Sequence, residues 1–231
     1  MGPVLLAATS TVAVPSTFDG VAEGLTVVIL LSEFAMLRAP LSRSQIRLYS
    51  FQSLMVSVLA AYIAAAKGLP DLYAIAALSL SLKVVVVPAV VLRLLRDAKV
   101  ELVASNRASV TSMTLLAIAV AVFAIFVIGG LPVHSTSLPT AAFGLSAAVV
   151  LVSFVLVALR SDVVSQAVGF FSLENGVSVA SLVVASGLPL IVEVAFFFDL
   201  LVAVVVFGVL MRVHHNRTDT LSTETLDQLK G

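Results

Sequence analysis

The sequence predicts an all-α, polytopic membrane protein with about seven transmembrane helices, its N-terminus outside and its C-terminus in the cytoplasm. Three observations predict this fold class: the composition, the length of the apolar runs and the position of the basic residues. Of the 231 residues, 60% are hydrophobic and 11% are charged, and the mean hydropathy is +1.16. Because roughly a quarter of the residues in a soluble domain are charged, the composition excludes a water-soluble globule, a disordered chain and a basic nucleic-acid binder.

Seven apolar runs rich in Val, Leu and Ala follow one another along the chain. Most of them have the roughly 20 residues that a helix needs to cross the hydrocarbon layer. They do not alternate apolar and polar residues, which argues against a porin-like barrel. The first run is the shortest and carries two glutamates. The predicted spans are about 21–37, 48–66, 72–92, 109–130, 140–159, 167–186 and 190–211.

The basic residues orient these spans. With the N-terminus outside, eleven of the 13 Lys and Arg residues fall in cytoplasmic segments and Lys67 alone falls in an outer one, which is a strong positive-inside bias. The three outer connections each contain Pro or Gly, as turns that end helices do. The cytoplasmic residues are Arg38, Arg43, Arg47, Arg93, Arg96, Lys99, Arg107, Arg160, Arg212, Arg217 and Lys230.

The same pattern divides the chain into four parts. Residues 1–20 are apolar but have no basic leading segment, so we expect an extracytoplasmic lead-in rather than a cleaved signal peptide. A three-helix part with its cytoplasmic loop covers residues 21–108, and a four-helix part covers residues 109–213. A polar cytoplasmic tail follows at 214–231.

The composition leaves little room for covalent or cofactor chemistry. The absence of cysteine excludes a disulfide scaffold, a thiol nucleophile and an iron–sulfur cluster held by this chain. No glycine-rich phosphate-binding motif precedes a helix. The histidines, His134, His214 and His215, fall in a loop or in the tail, so no haem pair is predicted. We therefore expect no cofactor, no metal site and no catalytic residue in this chain.

Charged residues deep in the predicted spans are the candidate functional residues. A charged side chain at the centre of a transmembrane helix costs roughly 2.5–3.5 kcal/mol on insertion, so it persists where it pairs, lines a hydrated cavity or titrates. Counted from the ends of their spans, Lys83, Glu174 and Asp199 lie at a comparable mid-membrane depth. We predict that they form a proton relay, and that Glu193, three residues into its span, is where protons enter or leave.

Structural explanations compete with the relay at each position. Lys83 could instead form an ion pair with Asp199 or Glu174 that fixes the helix register. Glu33, near the cytoplasmic surface, could be an interfacial or interhelical partner. Glu193 also suits the first turn of a helix, where the helix dipole favours a carboxylate.

Three further residues support the predicted relay. Asn175 and Gly176 follow Glu174 directly, and Gly176 predicts either close helix packing or local unwinding beside a hydrated site. Gln52 is a polar residue of the second span, for which a single interhelical hydrogen bond is an adequate explanation. Pro88 predicts a kink in the third span.

Several segments resemble hydrogenase-4 component E, a membrane subunit of the complex I-related group 4 nickel–iron hydrogenases. They are YSFQSL (49–54), KVVVVPAVVLR (83–93) and the long run from VGFFSLENG (168–176) to the ending TLSTETLDQLKG (220–231). The resemblance covers about 49–231.

The last three predicted spans also resemble the small subunit K of complex I and the related subunit of multi-subunit cation/proton antiporters. In that family, two consecutive helices each carry a membrane-embedded carboxylate of the proton path. By position Glu174 matches the first carboxylate, and Asp199 is the better match for the second. Here the second acid is Asp rather than Glu and the intervening turn is shorter, so Glu193 stays an alternative.

The resemblance implies a subunit without a cofactor of its own that contributes a membrane-embedded acidic and lysine path for protons, or for sodium, coupled to electron transfer. It implies antiporter-like membrane partners, a partner like the complex I membrane protein beneath the peripheral module, and a peripheral hydrogenase module with iron–sulfur and nickel–iron centres. The membrane would be a bacterial or archaeal plasma membrane. The alternatives are a subunit of a cation/proton antiporter or of a complex I-like dehydrogenase, a purely structural membrane subunit, and a stand-alone transporter.

Overall fold

In the computed structural model the described residues are 17–97, 108–132 and 138–184, together with Gly208. Within these residues there is no β-sheet, and six helices are long and apolar enough to cross a membrane. They are α1 (Thr17–Arg38), α2 (Ser42–Lys67), α3 (Pro70–Ser79, Leu80–Val86 and Val87–Asp97 in succession), α4 (Val110–Phe123 and Ala124–Ile128), α5 (Ala141–Leu159) and α6 (Val163–Val184).

The all-helical fold class is confirmed, and each of the first six predicted spans corresponds to one of these helices. Helix α2 extends beyond its predicted run: it begins at Ser42 rather than at about residue 48, because its helical hydrogen bonds continue through the polar residues that precede the apolar run. Apart from Gly208, the seventh predicted span, 190–211, lies outside the described residues, as do the segment before Thr17 and the tail. The number of spans and the orientation stay predictions.

A tight turn reverses the chain between α2 and α3. Gly68 adopts the left-handed conformation, with φ 66°, which glycine reaches without the steric cost of a side chain. The backbone N–H of Leu69 donates to the carbonyl of Ala64 at 3.1 Å, and Pro70 begins α3, where its missing N–H leaves no intrahelical bond unmade.

The predicted irregularity at Pro88 takes the form of a π-helical segment, Leu80–Val86, immediately before it in α3. Proline has no N–H to donate to the carbonyl of Val84, four residues earlier. The hydroxyl of Ser50, from α2, donates to that carbonyl at 3.0 Å. Such π segments are rare and often lie at functional sites, and Lys83 is inside this one.

Helices α5 and α6 make the most extensive contact in the bundle, and glycines of α6 permit it. A Cβ atom on Gly176 would lie 2.8 Å from Cγ2 and 3.0 Å from the backbone nitrogen of Val150, and one on Gly169 would lie 2.8 Å from Cγ2 of Val157. Because α6 stays helical over Val163–Val184, the structure confirms close packing as the role of Gly176 and shows no local unwinding beside Glu174.

Helix α4 is the least enclosed of the six helices. Large apolar side chains cover its outer surface, which would be unfavourable in water and suits contact with lipid or with another membrane protein. The exposed side chains are those of Leu115, Leu116, Ile118, Val122, Phe123, Phe126 and Val127.

Candidate functional site

A buried ion pair joins α3 to α6. Lys83 Nζ lies 3.0 Å from Glu174 Oε1, and the two residues are only 2% and 9% exposed. Glu174 stands midway along Val163–Val184, so about 16 Å of helix separates it from either end. The structure therefore shows the ion pair that was considered for Lys83, with Glu174 as its partner, and the relay itself stays a prediction.

Two other polar groups of α6 approach the same ammonium. Lys83 Nζ lies 3.5 Å from Asn175 Oδ1 and 3.3 Å from Ser178 Oγ. The hydroxyl of Ser178 in turn donates to the backbone carbonyl of Glu174 at 2.8 Å. The cation is thus held by a carboxylate, an amide oxygen and a hydroxyl, which together replace its hydration in the apolar bundle.

The amide of Asn175 continues the contacts into α2. Its Nδ2 donates to Gln52 Oε1 at 3.0 Å and to Ser53 Oγ at 2.9 Å. Gln52 then donates from Nε2 to Glu33 Oε2 at 2.8 Å and to the carbonyl of Ile29 at 3.3 Å. The expectation of a single interhelical hydrogen bond for Gln52 is wrong: this buried amide bonds to both α1 and α6, because three helices meet at its position.

Glu33 is an interhelical partner, the second of the two roles considered for it. It has no exposed surface and accepts hydrogen bonds from Gln52 of α2 and from the hydroxyl of Ser172 of α6. The same hydroxyl lies 2.8 Å from Gln52 Oε1, so Ser172 contacts both side chains. A carboxylate that closes such a three-helix contact is fully inside the bundle rather than at its surface.

These contacts form one continuous row of side chains, which we call the polar line: Glu33, Gln52, Asn175, Lys83 and Glu174. It crosses α1, α2, α6 and α3 and joins two buried carboxylates through a lysine and two amides. Because each link is a hydrogen bond or an ion pair, the state of one member acts on the next.

The remaining predicted residues are placed less centrally or lie outside the described residues. Gly176 packs against Val149 and Val150 of α5. Asp199 and Glu193 lie outside the described residues, so their roles stay predictions.

The serines of the site were missed by the sequence analysis. Ser172, Asn175 and Ser178 are spaced by three residues, which places them on one face of α6. This periodic polar face within an apolar span is the signal that would have identified them. The place of Glu33 in the site had no comparable local signal, since its partners are 19 and 139 residues away.

A second buried polar cluster lies where α1 ends and where α2 and α6 begin. Arg160, predicted as a cytoplasmic loop residue, is 2% exposed, and its guanidinium donates to the carbonyls of Leu37 at 2.7 Å and Ala39 at 3.2 Å. Gln45 of α2 donates to the carbonyl of Ala39 at 3.3 Å and accepts from Ser165 at 2.7 Å. We call Arg160, Gln45 and Ser165 the helix-end cluster, since they cap the C-terminus of α1.

The two clusters show how α2 and α6 run. Gln45 contacts Ser165, and Gln52 contacts Ser172. From the first contact to the second, the sequence position increases by seven on each helix. Two helices that keep contact in this way run parallel and in register over two turns.

Among the described residues, no group of three or more His, Cys, Asp or Glu side chains is arranged to hold a metal ion. The titratable side chains of the described site are those of Glu33, Lys83 and Glu174 in the polar line, together with the neighbouring Tyr49, which lies beside Ser53 and Glu174.

Comparison with known proteins gives one partial likeness. A stretch of 63 residues is 44% identical to "Uncharacterized protein Rv0085" of Mycobacterium tuberculosis (strain ATCC 25618 / H37Rv), and it covers 27% of this chain and 29% of that protein. No protein-family model and no solved structure matches the chain.

Proposed function

We propose that this chain is an integral membrane subunit of a complex I-like nickel–iron hydrogenase, in which it contributes a buried acidic and lysine path for protons, or for sodium. The observation that carries the proposal is the Lys83–Glu174 ion pair midway along two apolar helices. The resemblance to hydrogenase-4 component E supplies the kind of complex. Electron transfer in the partner proteins would drive the movement of the ion.

The energetics of a buried ion pair favour a role beyond holding helices together. Replacing such a pair by apolar side chains of similar volume is often neutral or stabilising, by about 1–4 kcal/mol. The neighbours of Lys83 in the sequence are apolar, so an apolar residue at position 83 would suit this helix. The bundle is already held together by the close approach of α5 to α6. A charged pair at this depth is therefore explained better by the movement of charge than by stability.

The geometry supports a simple proton step. At 3.0 Å, Lys83 Nζ is within the distance over which a proton passes directly between donor and acceptor. Transfer to Glu174 Oε1 converts an ammonium and a carboxylate into an amine and a carboxylic acid, with no net charge left in the bundle. Reprotonation of Lys83 restores the cation, and loss of the proton from Glu174 restores the anion.

The resemblance assigns the next carboxylate to the predicted seventh span. Asp199 is its first candidate, with Glu193 as the group at which protons enter or leave. With the N-terminus outside and the C-terminus in the cytoplasm, the chain would lie between the membrane protein beneath the hydrogenase module and the antiporter-like proteins, in a bacterial or archaeal plasma membrane. The iron–sulfur and nickel–iron centres would belong to those partners.

The test compares assembly with coupling in membranes that contain the whole complex. Glu174→Gln and Asp199→Asn keep the shape of each side chain and remove its ability to bind and release a proton. We expect both variants to assemble and to turn over hydrogen while proton translocation falls to the background level. Glu23→Gln, the same change in α1 at a residue outside the polar line, serves as the control. Unimpaired translocation in both test variants would refute the proposal.

A purely structural role is the second candidate, and the direct contact of Lys83 with Glu174 is the observation that favours it. An ion pair used only to pin α3 to α6 predicts that Glu174→Gln lowers the amount of chain that co-purifies with its partners. Coupling per assembled complex would then be normal. Measuring both quantities on one preparation separates the two roles.

A further inference from the structure

We infer that Glu33 is a further carboxyl group that takes up and releases protons, and that its protonation state is coupled to the Lys83–Glu174 pair through the amides of Gln52 and Asn175. The inference rests on the proposed function and adds to it a further buried acid, on α1, outside the segments that resemble the known family. Four observations carry it: the burial of Glu33, its uneven hydrogen bonding, the direction of the amide chain and the neutral surroundings.

The two oxygens of Glu33 are used unequally. Oε2 accepts from both Gln52 and Ser172, whereas Oε1 is buried and has no hydrogen-bond partner among the described residues. Ser153 of α5 faces the same carboxylate, but its hydroxyl donates to the carbonyl of Val149 at 2.8 Å. A proton can therefore bind at Oε1 without displacing any hydrogen bond of the described structure.

The amide chain between the acids has one direction. Lys83 Nζ donates to Asn175 Oδ1, Asn175 Nδ2 donates to Gln52 Oε1, and Gln52 Nε2 donates to Glu33 Oε2. Every donor points toward Glu33, which is the arrangement that a cation at one end and an anion at the other favour. Hydrogen bonds aligned in this way polarise one another, so a change of charge at one end is felt at the other.

Side-chain amides do not gain or lose protons near neutral pH. The chain therefore transmits the effect of the protonation state of Glu33 and does not carry a proton. When Glu33 is ionised, it holds Gln52 and thereby keeps the oxygen of Asn175 turned toward Lys83. When Glu33 takes up a proton, that acceptor weakens, and Lys83 is left with Glu174 and Ser178 as its stronger partners. Glu33 thus biases how Lys83 and Glu174 share their proton.

The surroundings leave few other charges to account for such coupling. The described titratable groups that face the polar line are Tyr49 from α2, Lys83 from α3 and the two glutamates themselves. Helix α5, which packs against α1 and α6, has no titratable side chain in Ala141–Leu159. Coupling between Glu33 and Glu174 must then pass through the amide chain or directly through space.

Infrared difference spectroscopy of the full-length chain in lipid nanodiscs tests the inference. Protonated carboxyl groups give a carbonyl band that appears and disappears as the pH is changed. We expect one band that Glu33→Gln removes and another that Glu174→Gln removes. We also expect Glu33→Gln to shift the midpoint at which the Glu174 band titrates, because interacting sites titrate as a coupled pair. Glu23→Gln, on the same helix, should leave that midpoint unchanged.

Variants that break the amide chain show whether the coupling between Glu33 and Glu174 passes through the amides or directly through space. In Asn175→Leu the Glu33→Gln change should no longer shift the Glu174 midpoint, and Gln52→Met should have the same effect if Asn175→Leu fails to fold. Gln45→Met, at the helix-end cluster, is the matched control and should preserve the shift.

Two results would overturn the inference: no carbonyl band that depends on Glu33, or a shift that survives the breaking of the chain. Neither measurement involves translocation. A failure here is therefore distinguishable from a failure of the proposed function, which the translocation of Glu174→Gln decides.

Discussion

The polar line and the helix-end cluster are built largely from the same helices, yet they accommodate buried charge in opposite ways. The guanidinium of Arg160 donates hydrogen bonds to two backbone carbonyls at the end of α1. Lys83 instead contacts side chains: the carboxylate of Glu174, the amide of Asn175 and the hydroxyl of Ser178.

The difference follows from the hydrogen bonding of a helix. The last four carbonyls of an α-helix have no intrahelical partner, so a cation placed there satisfies groups that need a donor. In the middle of a helix nearly all backbone groups are already bonded, and a buried charge must find other side chains. Charge at a helix end therefore stabilises the fold, whereas charge at mid-helix brings titratable groups together.

Removal of the lysine of the polar line should have the largest effect on stability. Lys83→Met leaves Glu174 buried without its cation, which typically destabilises a protein by about 3–5 kcal/mol. Unfolding in detergent micelles would measure it. The double variant Lys83→Met/Glu174→Met should recover most of the loss without recovering translocation. A loss below about 0.5 kcal/mol, as for an ordinary surface substitution, would show that the pair does not constrain the bundle.

Removal of the arginine of the helix-end cluster should have the next largest effect. Arg160→Met leaves the carbonyls of Leu37 and Ala39 without their charged donor, and hydrogen bonds to charged groups contribute about 1.5–3 kcal/mol. The free energy of unfolding should fall by that amount while translocation per assembled complex stays normal. Arg93→Met, at an exposed position, should change stability by less than about 0.5 kcal/mol. A loss of translocation in folded Arg160→Met would remove the distinction between the two clusters.

The polar line should depend on the close contact of α5 with α6. In Gly176→Ala the added Cβ meets the backbone of Val150, and we expect a loss of about 1–3 kcal/mol as the helices separate. Gly24→Ala, where no atom lies within 4 Å of the added Cβ, should instead be stabilising by up to about 1 kcal/mol. Thermal unfolding of both variants checks this contrast, and equal melting temperatures would contradict it.

The smallest effects should come from the paired serines. Ser172→Ala and Ser165→Ala each remove one hydroxyl that bonds to a glutamine of α2, and each should cost about 1 kcal/mol. Only Ser172→Ala should also alter the infrared band of Glu33, because the hydroxyl of Ser172 donates to Glu33 whereas that of Ser165 donates to Gln45. An identical infrared response in both variants would show that the heptad spacing, rather than the acid, sets their role.

Much of this arrangement was predictable from the sequence, and the remainder has a common physical origin. Hydropathy determines where spans lie and how deep each residue sits, and depth alone brought Lys83 and Glu174 together as candidates. Rotation about the helix axis is set by packing between distant segments, so hydropathy could not show that Gln52 and Glu33 face Asn175. The burial of Arg160 was missed for the same reason, since the positive-inside bias counts charges without regard to the carbonyls they meet.

The most direct test compares Glu174→Gln with Arg160→Lys in membranes that contain equal amounts of assembled complex, with protons translocated per turnover as the readout. Arg160→Lys keeps the charge and removes the guanidinium nitrogen that donates to the carbonyls of both Leu37 and Ala39, which the shorter, more strongly hydrated ammonium replaces poorly. The account predicts that assembled Glu174→Gln complex does not translocate, although loss of the buried anion also lowers its melting temperature, and that Arg160→Lys melts lower but translocates normally. Normal translocation in Glu174→Gln, or an equal loss in both variants, would contradict the claim that mid-helix charges move protons while helix-end charges hold the fold.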